Sequence, residues 1–581
     1  MKKTHFTFIL ALLSASCAST PARLPQTTVA SLTPEVRGQA EAYYHFIAGN
    51  LFEQDGDFDA AQKEYEAAYR LDPAAEVALS LSSLCLRRGQ ADQAAVFAQK
   101  AADLDPEDTR ALMLLANILT SRKKYDEAAE VYRKIIKIDP KQEEAYLYLG
   151  TLYSSLKRYD DAVDAFKALE NINPSSVMSP YYLGRTYVDR QMYAEALAEF
   201  KKAIGRKDDF EPAYTAMAFA YELNGQMKEA IGAYKKSISL NPHNTELMQH
   251  LAQLYIQQDL LDEALEQYQR LVDIDPRNYD AHIKMGLIYA EKKQYAQAIE
   301  SFQVASRAVP NDIKIKRYLA STLVAGERYE EALAEYQGIL AVVPDDTDSV
   351  LQISYIYSQQ KKVSDAIPLL EKALAEQPGK PEIYLYLANA YQELGQYQEA
   401  ADVLGRGIEM APDRDDLTFS LAVVYEKQGK RSEMIDTLRK TIDLKPDNAD
   451  ALNYLGYTYA EKGENLDEAI RLIKRALLIK RDNGYILDSL AWAYYQKGML
   501  NEALEFMKQA VSIVDGDPLM LEHYGDIFLK LSKKDKAKEQ WLESLALDPK
   551  NQKLREKFKN AGFGDPEVLL QKVKPGKRNK K

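Results

Sequence analysis

Along most of this chain apolar positions recur three and four residues apart in paired short stretches, each pair closed by a turn and a proline. Between Glu143 and Pro174, large apolar side chains fall at Tyr146, Leu149 and Tyr153, a spacing that lays them on one stripe of a helix. Gly150 interrupts the stripe, where a missing side chain would let a second helix approach closely. Lys157 and Arg158 end the first pattern, and Asp160 reads as the N-cap of a second helix with Tyr159 placed as a hydrophobic staple. Ala162, Phe166 and Leu169 carry the second stripe. Asn173-Pro174 stops it, because a proline disfavours helical geometry in the residue before it. The pattern predicts two antiparallel helices.

The same punctuation returns at Pro73, Pro106, Pro140, Pro174, Pro242, Pro276, Pro310, Pro344, Pro378, Pro412, Pro446 and Pro549, 33 or 34 residues apart wherever consecutive units keep the proline. Asp208, Arg481 and Asp515 stand where it is missing, with the paired small and large residues Ala196/Phe200, Ala469/Ile473 and Ala503/Met507 correctly placed upstream. A fixed period of this length predicts an all-α solenoid of about fifteen hairpins over residues 42–549. The unit resembles the tetratricopeptide repeat, whose signature appears here as Tyr146, Leu149, Gly150, Tyr153, Ala162, Phe166, Leu169 and Pro174. The resemblance implies a right-handed superhelix whose first helices line a concave, protein-binding surface.

Three irregularities modify the array. Pro180 falls where other units carry the equivalent of Tyr146, which predicts a late helix start with Ser179 as its cap. Pro368 is placed in the first turn of its helix, where a missing N–H is harmless. One extra residue around Gly463-Glu464-Asn465 lengthens a turn. Beyond Pro549, Leu554 and Phe558 stand four apart amid charges, as a helix closing a solenoid end over 550–562 requires. Residues 563–581 read as a basic, disordered tail carrying Lys572, Lys574, Lys577, Arg578, Lys580 and Lys581.

At the other end, Lys2-Lys3, an apolar run from Phe6 to Leu13 and Ser14-Ala15-Ser16-Cys17 predict a signal peptide over residues 1–16. The run is too short to span a bilayer. The small residues before Cys17 resemble a bacterial lipobox, with Ser14 where that motif prefers Leu. The resemblance implies acylation (palmitate among the chains) at Cys17, and Ala18 after it implies sorting to the outer membrane, facing the periplasm. Residues 17–41, rich in Ser, Thr, Pro and Ala, read as a tether, able to reach on the order of 70 Å if fully extended.

Composition narrows the function. The formal charge is -12 with no basic stripe, which argues against a nucleic-acid partner. With Cys17 acylated, Cys85 would be the one remaining thiol and reads as a small buried hydrophobe. Six scattered histidines, no HExxH, no Walker loop, no GxSxG and no dinucleotide glycine fingerprint predict neither enzyme activity nor a cofactor. The oligomeric state is not readable.

Binding remains. Carrying the inward-facing places of the repeat along the chain gives a groove that begins apolar, at Phe46, Leu79, Met113, Leu147 and Tyr181, and ends acidic, at Asp488 and Glu522. The carboxylate clamp of co-chaperone members is absent, because Asn50, Asn117 and Asn389 are matched with Phe46, Met113 and Leu385. Trp492 falls on the inward face, with Tyr457 one unit earlier, Asn453 on the same helix as Tyr457, Phe419 another unit back, and Tyr485, Asp488 and Tyr495 beside it. Two roles are open for Trp492, an exposed interface aromatic or a seal between neighbouring hairpins. The segment Ala451–Ala510 also resembles large Gram-negative envelope lipoproteins of this repeat type, one of them an adaptor for a carboxyl-terminal processing protease. The expected function is a scaffold or adaptor for envelope proteins. A regulatory subunit of an envelope enzyme, or an assembly factor of a secretion, pilus or polysaccharide-export machine, is the alternative.

Overall fold

The two stripes between Glu143 and Pro174 become two helices, Glu143–Ser155 and Tyr159–Ile172, in a computed structural model that describes residues 33–570. Their packing rests on one contact. A Cβ built at Gly150 would lie 2.5 Å from the Phe166 ring, so only glycine lets that ring press against the first helix backbone. The device recurs at Gly49 with Tyr65, Gly184 with Phe200, Gly286 with Phe302 and Gly525 with Trp541. Where alanine replaces the glycine, as at Ala116, Ala252 and Ala320, the facing residues Tyr132, Tyr268 and Tyr336 are equally buried.

The described residues divide into two compact units, one ending at Pro276 and the other beginning at Arg277. Residues 33–276 form seven hairpins; residues 277–570 form eight hairpins, the closing helix Gln552–Asn560 and the short helix Pro566–Leu570. No strand occurs among the described residues. Within each unit the second helix of a hairpin packs on the first helix of the next. Several of these junctions carry a polar tie between a residue ending one first helix and an acid about thirty positions earlier: Arg122–Asp92 at 2.7 Å, Arg190–Asp160 at 2.8 Å and Lys497–Asp467 at 2.5 Å. The acids are exposed, so each such pair contributes at most about 1 kcal/mol. Apolar burial holds the array. No described helix is long and apolar enough to cross a membrane.

Several boundaries differ from the sequence reading. The first helix begins at Pro34, not near residue 42, because Thr33 accepts from the Val36 N–H and Pro34 supplies a preset first turn. Residues 34–41 therefore belong to a helix rather than to the expected tether. Asp160 is not an N-cap: the helix starts at Tyr159 after Arg158, and Asp160 lies in its first turn, where it meets the helix dipole and Arg190. The helix holding Pro180 starts at Met178, so Pro180 occupies its first turn, and Ser179 is no cap but donates from its buried hydroxyl to the Phe166 carbonyl at 2.8 Å. Pro368 sits inside Val363–Glu376, past the first turn. Phe563 is no part of a free tail; it packs edge-on against Trp541 and Phe558, with ring centroids 5.8 and 5.2 Å away. The proposed signal peptide, Cys17, the rest of the tether and the basic residues 571–581 lie outside the described residues.

Candidate functional site

The first helices of the last three hairpins, Ala449–Lys462, Gly484–Gln496 and Pro518–Lys530, carry the aromatic and acidic positions singled out above. Their helical spacing puts Asn453 and Tyr457 on one face, Tyr485, Asp488, Trp492 and Tyr495 on the next, and Glu522, His523 and Asp526 on the third. Burial on the other faces fixes this orientation, since Leu455, Tyr459, Leu490, Ala491, Met520 and Ile527 fill the core.

Trp492 lies half-buried with two rings stacked near-parallel to its own: Tyr495 at 4.8 Å and 18°, and His523 at 4.0 Å and 19°. His523 is itself buried, and its Nδ1 lies 2.9 Å from the buried Asp488 carboxylate. The imidazole thus bridges the acid and the indole. The Trp492 Nε1 and the Asn453 Oδ1 are buried without a hydrogen-bond partner, a cost of about 1–3 kcal/mol each if left unmade. Half-burial of Tyr457 raises its hydroxyl pKa to about 12, reinforced by the negative field of Asp488, Glu461, Glu426 and Glu522.

Beyond this stack is an ionic lock to the closing helix. Lys557 donates to Asp526 at 2.5 Å and to Glu522 at 2.7 Å, while the Trp541 indole N–H donates to Asp526 at 3.1 Å. Burial pushes the Asp526 carboxyl above its ordinary range, against the opposing pull of Lys557 and His523. For Lys557 burial alone would lower the pKa, but Asp526 and Glu522 outweigh it and raise it.

The structure brings together Trp492, Tyr495 and Asp488 but distributes the other expected residues. Phe419 meets Tyr454 edge-on at 6.0 Å, and Tyr485 stands 57% exposed, the most open of the group. Trp492 is neither fully exposed nor core; Trp541, by contrast, is 1% exposed and structural. Sequence reasoning missed His523, Asp526 and Lys557. Asp526 was within reach, since it repeats the place of Trp492 one hairpin later. His523 and Lys557 carried no signal except adjacency to such places.

Two of the inward asparagines serve the fold. Tyr65 and Tyr132 donate to the Asn50 and Asn117 side-chain oxygens at 3.1 and 2.6 Å, which ties those asparagines into their own hairpins. Cys85 is fully buried, and burial pushes its thiol up. Among the described residues no group of His, Cys, Asp and Glu could hold a metal ion.

Models described as tetratricopeptide repeat match residues 119–184, 223–288, 289–352 and 357–422, then 48–109 and 427–486, then 485–513. No curated protein matches the chain. Similar solved structures include the APC/C hetero-tetramer Cut9-Hcn1, at 14% identity over 78% of this chain and 96% of that one with a TM-score of 0.37. A tetratricopeptide repeat protein from Parabacteroides merdae has 19% identity over 49% and 99%, with a TM-score of 0.33. YrrB, described as a repeat protein with an unusual peptide-binding site, has 24% identity over 32% and 96%, with a TM-score of 0.27. The matched repeats run through both compact units and together cover most of the described hairpins: this chain belongs to the tetratricopeptide repeat family.

Proposed function

We propose that the protein is a non-catalytic scaffold or adaptor lipoprotein of the bacterial cell envelope, anchored in the outer membrane through Cys17 and facing the periplasm. It captures a protein partner with the inward face of its last hairpins. The observation that carries the binding surface is Tyr485, 57% exposed, next to a Trp492–His523–Asp488 assembly already held in place by stacking and a hydrogen bond. Rigid, pre-positioned aromatics with polar edges bury large area at low entropic cost, which is what dominant interface residues do. The acidic surroundings of Tyr457 favour a partner segment that brings basic groups.

The anchor rests on the sequence alone, on the apolar run Phe6–Leu13 and the small residues before Cys17. A second reading, regulation of an envelope enzyme, draws support from the ALNYLGYT and ILDSLAW runs, which lie on the two helices bearing Tyr457 and Trp492. A photo-crosslinking residue placed at Tyr485 in living cells tests the binding surface, with Leu478, 72% exposed on the neighbouring second helix, as the control. Discrete adducts from position 485 and none from 478 support it; identical patterns from both, or none from 485, contradict it. Adding the chain to the purified partner separates the readings, because only the regulatory one requires the partner's activity to change.

A further inference from the structure

A cavity of about 440 Å³ opens between the first helices of the fourth and fifth hairpins, Glu143–Ser155 and Met178–Asp189, far along the chain from the aromatic surface. Leu147, Tyr148, Thr151, Ser154, Tyr182 and Arg185 line it, with Ser155, Thr186 and Asp189 completing the wall. Arg185 is unusual among the arginines of these two hairpins. Arg158 pairs with Asp161 at 2.7 Å, Arg190 with Asp160 at 2.8 Å, and Arg206 with Glu170. Arg185 instead lies over two rings, 5.9 Å from the Tyr181 centroid and 5.7 Å from that of Tyr182, and Asp189, one turn on, is not its ion-pair partner.

The hydroxyls beside it have their protons committed. Thr151 donates to the Tyr148 carbonyl at 2.9 Å, Ser155 to the Leu152 carbonyl at 2.7 Å and Thr186 to the Tyr182 carbonyl at 2.9 Å. Ser154 and Thr186 share a bond of 2.8 Å; with the Thr186 proton already used, Ser154 is its donor. The oxygens of Thr151, Ser154 and Ser155, which are not buried, therefore present lone pairs to the cavity, which suit N–H donors, while the buried Thr186 serves to hold Ser154 in place. The site thus offers a planar cation steadied by aromatic faces, beside a row of acceptors.

We infer that this cavity binds an extended segment of a protein partner that places an Asp or Glu side chain on Arg185 and turns backbone N–H groups toward Thr151 and Ser154. The guanidinium supplies a two-pronged donor matched to a carboxylate, and its position over Tyr181 and Tyr182 reduces the freedom lost on binding. An internal acidic side chain fits better than a chain terminus, because the third and sixth hairpins continue the same face on either side and leave the segment room to pass through. The assignment rests on the scaffold reading and adds a second docking point of opposite charge preference to the first.

The test uses the full-length protein and an array of short amidated peptides, randomised except for a central Glu, Gln or Lys. The central-Glu set is expected to be retained about tenfold better than the Gln set, the discrimination of one charge-assisted hydrogen-bonded pair. Arg185→Gln abolishes that preference and Arg185→Lys keeps part of it; Arg185 is exposed, so the melting temperature stays unchanged. Equal retention of the Glu and Gln sets, an Arg185→Gln variant indistinguishable from the parent, or retention of Gln peptides only when their terminal carboxylate is left free would each overturn the assignment. Tyr485→Ala leaves the Glu preference intact, so failure of the aromatic surface and failure of this cavity read out separately.

Discussion

The imidazole of His523 lies 4.0 Å from the indole of Trp492, almost parallel to it, while its Nδ1 reaches the Asp488 carboxylate 2.9 Å away. A ring held by a hydrogen bond on one edge and a stack on one face has little freedom left, so Trp492 is presented in a fixed attitude before any partner arrives. The half-burial that fixes it also gives it a share in stability. Trp492→Ala should therefore cost about 1–2 kcal/mol, less than the roughly 3–5 kcal/mol expected for Trp541→Ala in the core. Thermal or urea melts of the two variants check the order. Equal losses would mean that Trp492 is purely structural.

Hairpin closure makes a second, local prediction. With a Cβ at position 150 only 2.5 Å from the Phe166 ring, Gly150→Leu should destabilise by about 1–3 kcal/mol through overpacking. Thr151→Ala, one residue on and facing the cavity, should change stability by less than about 0.5 kcal/mol. Pairing Gly150→Ala with Phe166→Leu should recover part of the loss from Gly150→Ala alone, which melting curves of the single and double variants would show.

The lock between Asp526 and Lys557 predicts a pH dependence. Burial raises the folded-state pKa of Asp526 above the ordinary 3.8, so its contribution is most favourable below that value and is lost as pH rises through the folded pKa. Lys557 is also raised, above 10.5; its contribution is complete below that value and disappears only in alkali. Lys557→Met should accordingly lower the melting temperature at neutral pH, by leaving Asp526 and Glu522 without their cation, and the penalty should shrink as pH falls from about 8 to about 4 and Asp526 takes up a proton. Adding Asp526→Asn should restore stability at neutral pH. A penalty that grows on acidification would contradict the assignment.

The period, the hairpins and the two packing stripes were legible because each is local: the apolar spacing, the small residue and the stop all fall within one stretch such as Glu143 to Pro174. Tyr153, Phe166 and Leu169 are buried as their spacing predicts. The site was legible only to the level of which face Trp492 and Tyr457 occupy. Whether an inward side chain is open or covered depends on a neighbour a whole hairpin away. Asp488 is buried by His523, 35 residues later, and Asp526 by Lys557 on the closing helix. Tyr485 stays open although Gly484 and Ile486 on either side of it are buried. Caps failed for a related reason. Asp160 was read as an N-cap from residue type alone, whereas the turn at Lys157, with φ of 58°, sets the helix start two residues earlier, with Arg158 in the cap position.

The anchor proposal has a simple consequence. Cys17→Ser should move the protein from the membrane pellet to the soluble periplasmic fraction without altering its circular dichroism or melting temperature, since no described helix could hold a bilayer. Persistence of the variant in the pellet would assign membrane attachment to the basic residues near the carboxyl terminus or to a bound partner.

The central claim, that the last hairpins capture a partner through their inward aromatic face, is tested most directly by the affinity of the Tyr485→Ala variant for the partner identified by crosslinking at that position. Tyr485 is 57% exposed, so its removal should leave the melting temperature within error of the parent. Titration calorimetry of the purified pair should then show binding weakened by about 2 kcal/mol, the loss of one dominant interface aromatic. Unchanged affinity with an unchanged fold would place the partner elsewhere on the chain and contradict the account.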